Sequence, residues 1–162
     1  MRPEDQRKGN ESYTIIPRVL IFLTHGDEIL LLHGAPDKKL WAEKYNGLGG
    51  HIEPGETPYQ AAVREVYEEA GLQVEALDLR AIVHVTLHQP PGVMLFVFVG
   101  ETEQTIVRAS EEGTPVWIRR ADLETLPLVE DLPQLLTNIE TRKPLTFGHY
   151  EWTEDGFQCS FT

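Results

Sequence analysis

Residues 64–71, Arg-Glu-Val-Tyr-Glu-Glu-Ala-Gly, place three glutamates within five positions directly after an arginine, with no lysine among them. On a helix, Glu65, Glu68 and Glu69 stand at the i, i+3, i+4 spacing of surface neighbours and share one edge. Carboxylates this close raise one another's pKa unless a cation lies among them. Hard divalent cations take oxygen ligands, and Mg²⁺ keeps several waters while bridging carboxylates to substrate phosphates. A solvated acidic helix face would have the same composition. The glycine-rich run at residues 46–52 (NGLGGHI) favours the cation, because Gly49 and Gly50 let a backbone carbonyl approach the same ion.

A helix and a loop must position these groups, and the punctuation of residues 57–70 predicts the helix. Thr57 can serve as N-cap, Pro58 sits at the first helical position, Gln60 completes a capping box, and Gly71 stops the helix. Tyr59, Ala62, Val63, Val66 and Ala70 fall on one stripe roughly 100° wide, the core-facing side, and the glutamates form an adjacent acidic stripe. Upstream, residues 13–24 (YTIIPRVLIFLT) and 28–33 (EILLLH) read as a hairpin, with Pro17 indicating an edge or a bulge. Downstream, residues 74–89 and 93–101 read as strands around a Pro-Pro-Gly turn, and residues 115–119 as a further short strand. Residues 122–126 and 131–142 read as helical, the second with Leu132, Leu135, Leu136 and Ile139 on one face, and residues 145–162 as a closing hairpin. Strands mixed with two substantial helices predict an α/β or α+β layered domain.

Read outward from Gly50, the chain runs glycine, five residues, Glu56, seven residues, then Arg64-Glu65-Val66-x-Glu68-Glu69-x-Gly71-Leu72, a 23-residue span. This resembles the Nudix box at every defined position. The resemblance implies the α/β Nudix fold, a mixed β-sheet sandwiched between helices, as a single domain over residues 13–162 behind a flexible arm of residues 1–12. It also implies a hydrolase of nucleoside diphosphates linked to another group, dependent on Mg²⁺ or Mn²⁺. Glu65, Glu68 and Glu69 match the family's metal-ligand glutamates, with the Gly49 carbonyl and Glu112 as further ligands. Arg64 and Glu56 match a pair that orients the catalytic glutamates, a role suited to the rigid donor fork of a guanidinium. The implied chemistry is a metal-activated water attacking phosphorus, with Glu68, Glu69 or Glu112 taking the proton.

Residues outside the box bear on the substrate. Residues 41–56 (WAEKYNGLGGHIEPGE) are similar to the enzymes of this family that destroy oxidised purine nucleoside triphosphates, and Asn46 matches an asparagine that contacts the purine there. As a residue of this chain alone, Asn46 could equally be a turn former before Gly47. Residues 110–117 (SEEGTPVW) resemble the loop that supplies Glu112. Residues 126–136 (LPLVEDLPQLL) resemble a base-holding segment in which Asp131, with Glu130, matches the acids, while Leu128 replaces a stacking tryptophan. Asp131 alone reads as a helix N-cap. The leading expectation is hydrolysis of a nucleoside triphosphate, an oxidised purine among the candidates, to monophosphate and diphosphate. ADP-ribose or another nucleotide sugar is the alternative, and a non-catalytic ligand-binding regulator is a third reading that the retained box glutamates oppose.

The bulk composition bounds the partners. A net charge of −12 over 162 residues opposes binding to a nucleic-acid polymer, which depends on neutralising phosphates with Lys and Arg. A small phosphorylated nucleotide remains compatible, because bound cations invert the local charge. No apolar run is long enough to cross a membrane, and the polar first residues lack the apolar stretch of a secretion signal. The single cysteine, Cys159, fits a reducing compartment, so a cytoplasmic protein is expected; a monomer and a homodimer both remain open.

Overall fold

Residues 15–25, β-branched and aromatic, form strand β1 (Ile15–His25), and the molecule is organised around it. Alternation along β1 sends Val19, Ile21 and Leu23 to one face of the sheet and Leu20 and Phe22 to the other. Both faces are buried, which is why the strand's centre reads as continuously apolar. The computed structural model describes residues 13–141 and 144–162. The expected arm of residues 1–12 lies outside them.

The further strands are β2 (Glu28–Gly34), β3 (Tyr45–Asn46), β4 (Asp78–Thr86), β5 (Gly92–Glu101), β6 (Gly113–Arg119), β7 (Thr146–Thr153) and β8 (Gly156–Phe161). They make one mixed sheet in the order β3-β2-β1-β5-β4-β7-β8, with β6 pairing along β2. Helix α1 (Pro58–Ala70) covers one face through Ala61, Ala62, Val66 and Ala70. Helix α2 (Leu132–Thr141) covers the other through Leu132, Leu135, Leu136 and Ile139. A sheet sandwiched between helices is the α/β architecture expected. Among the described residues no helix is long and apolar enough to span a membrane.

Helix α1 has the predicted ends. The Thr57 side chain accepts from the Gln60 N–H, the Gln60 side chain returns a bond to the Thr57 N–H, and Gly71 takes the left-handed conformation (φ 74°). Its buried face differs from the predicted stripe. Tyr59 is 41% exposed, edge-on to Phe98, whereas Ala61, Glu65 and Glu69 are buried. The helix is rotated so that small alanines meet the sheet and two carboxylates turn inward with them.

Other boundaries shift as well. The strand expected from residue 74 begins at Asp78, and residues 120–125 form a 3-10 helix. Pro17 does not mark a sheet edge, since β1 runs parallel to β5 along nearly its whole length. On its other side β1 pairs with β2 only over Leu23–His25, and further back it meets the loop after β3. There Val19 and Ile21 donate to the Gly50 and Leu48 carbonyls, and Ile52 donates to Pro17 O. The N–H that Pro17 lacks falls at the end of this pairing.

Candidate functional site

The loop of residues 48–52 holds α1's carboxylates against β1. The Leu48 and Gly50 carbonyls are taken by β1, which leaves the Gly49 peptide facing α1, where its N–H donates to Glu69 Oε2 (2.8 Å). Two glycines are required for this approach. A Cβ at Gly50 would stand 2.2 Å from Glu65 Oε1, and one at Gly49 (φ +153°) 2.2 Å from the Val19 carbonyl oxygen.

Glu65 is 9% and Glu69 3% exposed, while Glu68 faces solvent. Burial pushes the Glu69 carboxyl up to about 7, against the bond from Gly49, with Glu65 and Glu68 adding repulsion. Arg64 organises the neighbouring acids. Its Nε and Nη2 donate to the two Glu56 oxygens (2.7 and 3.0 Å), a bidentate pair. Its Nη1 donates to Glu65 (2.9 Å) and Glu68 (3.1 Å), and Nη2 also to the His51 carbonyl (3.0 Å). Glu56 accepts from the Glu53 N–H as well, and with Arg64 this holds its carboxyl down at about 2. The same pairing raises the Arg64 pKa further above its ordinary value.

Glu112 is exposed in the loop before β6 and is ion-paired with Lys38. The positive charge of Lys38 also acts on Glu69, so Lys38 links Glu112 to the helix acids. Neither Lys38 nor Arg18, which lies in the field of Glu65 and Glu69, was singled out from sequence. Both reach the site through long-range packing, and no local pattern marks them.

The donor set consists of carboxylate oxygens and a loop backbone, the chemistry of a hard divalent cation. Among the described residues no three acidic or imidazole side chains converge into a closed cage. Arg64 and Lys38 take the carboxylate charges instead. Mg²⁺ does not require such a cage, because waters and substrate phosphates complete its shell.

Asn46 and Asp131 come onto neighbouring segments. Tyr45, stacked on His33, donates its N–H to the Pro127 carbonyl and accepts from the Val129 N–H. Asn46 follows it, its side chain accepting from the Gly47 N–H (2.8 Å), as in the turn-forming role. The Asp131 carbonyl accepts the Leu135 N–H (2.9 Å), so Asp131 does stand at the start of α2. Its carboxyl bonds to no N–H of the first helical turn among the described residues. It faces the buried Tyr150 hydroxyl, which has no well-formed hydrogen-bond partner. Burial raises the Asp131 pKa, with Glu130 adding to it, and burial followed by Asp131 raises that of Tyr150. A cavity of about 600 Å³ lies instead at the other end of α2, between Arg80, Arg120 and Glu140, and no candidate residue lines it.

Comparison with known proteins bears on the family and the fold. The NUDIX domain model matches residues 14–139. An oxidized purine nucleoside triphosphate hydrolase of Danio rerio is 35% identical over 120 residues, covering 67% of each chain. The human 8-oxo-dGDP phosphatase NUDT18 is 31% identical over 134 residues, 80% of this chain but 39% of that protein. The NAD-capped RNA hydrolase NudC of Pseudomonas syringae is 30% identical over 75% of this chain and 42% of its own. This chain thus spans less than half the length of the last two. Among solved structures, a MutT protein from Bacillus halodurans superposes with a TM-score of 0.77 at 20% identity, over 91% of this chain and 97% of that one. With the family model covering strands β1 to β6, the glycine loop and the carboxylate helix alike, the chain belongs to the NUDIX family and is a pyrophosphohydrolase of that family.

Proposed function

We propose that this protein hydrolyses a nucleoside triphosphate, an oxidised purine among its substrates, to the monophosphate and inorganic diphosphate with Mg²⁺ bound at the α1 carboxylates. The observation that carries the proposal is the seating of the Gly49–Gly50 backbone on Glu65 and Glu69. It holds the two buried box carboxylates against one loop, where a divalent cation would add to Arg64 and Lys38 in offsetting their charge. Glu65, Glu68 and Glu69, with Glu112 and the Gly49 carbonyl, would hold the ion, and Mn²⁺ would substitute for Mg²⁺. When bound, the ion supplies charge neutralisation of the phosphates and an acidified water.

The residues of the chain supply position and proton transfer. Arg64, locked by Glu56, fixes the Glu65 and Glu68 carboxylates. A carboxylate of the set Glu68, Glu69 and Glu112 takes the proton of the attacking water. Asn46 and Asp131 read the base. Burial raises the pKa of the half-buried Asp131, which favours a hydrogen bond to one edge of the base, and unmatched polar groups in such a site reject analogues strongly. The name of the Danio rerio relative supports this substrate class, and that of the human relative shares the oxidised purine but carries it on a diphosphate.

A panel of oxidised and ordinary purine triphosphates, the corresponding diphosphates, ADP-ribose and NAD, assayed with Mg²⁺ or Mn²⁺, tests the reading. The highest kcat/KM is expected on a triphosphate. Exclusive turnover of ADP-ribose or NAD would replace the substrate assignment while leaving the chemistry in place.

A further inference from the structure

Away from the carboxylate site, the cavity of about 600 Å³ lies between the C-terminal end of α2, the end of β1 near Thr24 and the start of β4. One of its lining residues stands at a break in the strand pattern. Leu79 pairs with Phe98 and Ala81 with Val97, so Arg80 is an extra residue on β4 with no partner on β5. The bulge also flips the alternation: Leu79 packs with the α1 side of the core and Ala81 with the α2 side. Arg80 reaches the last turn of α2, where its Nη2 donates to the Ile139 carbonyl, one of those a helix end leaves without an intrahelical partner. Its Nε is buried and, among the described residues, has no acceptor.

The lining decides what such a cavity can hold. Phe22, Ile29, Val99 and Leu136 give it an apolar side. Glu75, Asp78 and Glu101 line it as exposed residues, and among the described residues none of the three closes an ion pair. Arg120 is the other cation of the lining, and Glu140 takes its charge. A buried donor without an acceptor is costly, and a ligand that brings an acceptor to Arg80 removes that cost. The three free carboxylates repel a polyanion such as a nucleotide and attract a cation. The apolar side favours a hydrophobic body between those two groups.

We propose that this cavity is a second ligand site, separate from the carboxylates, for a small organic ammonium compound whose apolar body carries a carbonyl acceptor, the chemistry of an apolar amino-acid amide. The carbonyl accepts from Arg80, the ammonium faces Glu75, Asp78 and Glu101, and the body lies against Val99 and Leu136. An apolar concavity with a few convergent polar groups is the general form of a small-molecule site. None of these residues takes part in the hydrolytic reading, and the cavity stands at the opposite end of α2 from Asp131. The site therefore holds or fails independently of the substrate assignment.

The test uses the full chain in nuclear magnetic resonance titrations that follow the backbone amides. The probes are phenylalaninamide, phenethylamine (which lacks the carbonyl), phenylpropanamide (which lacks the charge) and inorganic diphosphate without metal. A ligand of this size is expected to bind at millimolar concentration. Phenylalaninamide should shift the amides of Ala76, Gly100 and Ile139 saturably, and each truncated probe should bind several-fold more weakly. R80Q is expected to weaken phenylalaninamide binding by roughly ten-fold, the scale of a lost hydrogen bond to a charged group. E101Q, which removes only an exposed charge, should weaken it by about two- to five-fold. Should R80Q unfold through loss of its contact with α2, E101Q decides alone. Diphosphate should leave the three amides unmoved. The proposal is overturned if phenylalaninamide shifts none of them, if the truncated probes bind as tightly, if diphosphate moves the same amides, or if the folded variants bind like the wild type.

Discussion

Glu69 carries an unusual load for a carboxylate. It is 3% exposed, its pKa is raised to about 7, and its one close donor among the described residues is the Gly49 N–H. Its loss as a charge should stop the chemistry without harming the fold. Glu69→Gln is expected to lower kcat by about 10² or more, while thermal unfolding of the metal-free variant above pH 7 occurs at or above the wild-type temperature. The pH dependence follows from the sign of the shift. The folded state binds more protons than the unfolded one between 4.5 and about 7, so this group lets stability fall as pH rises through that window. Glu56 has the opposite sign: its stabilisation is present above 4.5 and is lost as pH falls toward about 2. In chelator, Tm should therefore decline between pH 5 and pH 8, and Mg²⁺ should restore it most at the alkaline end. A Tm that climbs through neutral pH in chelator would refute the assignment to Glu69. The identity and spacing of the acids were legible in the sequence. Their burial was not, because the apolar stripe of Tyr59 and Val63 competed with the smaller alanines, and Ala61 won.

At the scale of elements, the loop of residues 48–52 and helix α1 act as one part, joined through Gly49 and Gly50. Gly50→Ala would drive a Cβ into the Glu65 carboxylate rather than into backbone. Its expected effect is a loss of roughly ten-fold or more in kcat/KM, the scale of a misplaced catalytic group, with a small change in Tm. Gly49→Ala meets the Val19 carbonyl and a left-handed φ, so its cost should appear in stability, about 1–3 kcal/mol by chemical denaturation. A Gly50→Ala enzyme with full activity would separate the loop from the chemistry. Helix α1 was readable because its caps are local: Thr57, Gln60 and Gly71 act within a turn of themselves. The place of β1 was not. Its parallel partner β5 lies some seventy residues downstream, and no short-range pattern encodes a parallel crossover. Arg18 and Lys38 escaped notice for the same reason, since they join the site through the tertiary arrangement alone.

In the proposed reading, the molecule as a whole divides its labour between the two faces of one sheet. Helix α1 brings the carboxylates from one side, and the segment before α2 brings Asp131 from the other, beside Tyr45. Chemistry and base reading should therefore be separable by mutation. Asp131→Asn is expected to change the ratio of kcat/KM between oxidised and ordinary purine triphosphates by about ten-fold or more, leaving inorganic diphosphate binding as in the wild type. An unchanged ratio would remove Asp131 from the base-reading role. Asn46 and Asp131 drew notice only through resemblance, because they are turn and cap residues by local rules, and the segments that carry them come together only in the folded chain.

The central claim is that the α1 carboxylates, loaded with a divalent cation, split a nucleoside triphosphate between its first and second phosphates. Chromatographic identification of the products from an oxidised purine triphosphate, with Mg²⁺ and again with chelator, tests it most directly. The account predicts monophosphate and inorganic diphosphate in equal amounts, formed only with the metal. Nucleoside diphosphate with orthophosphate, or turnover undiminished in chelator, would contradict it.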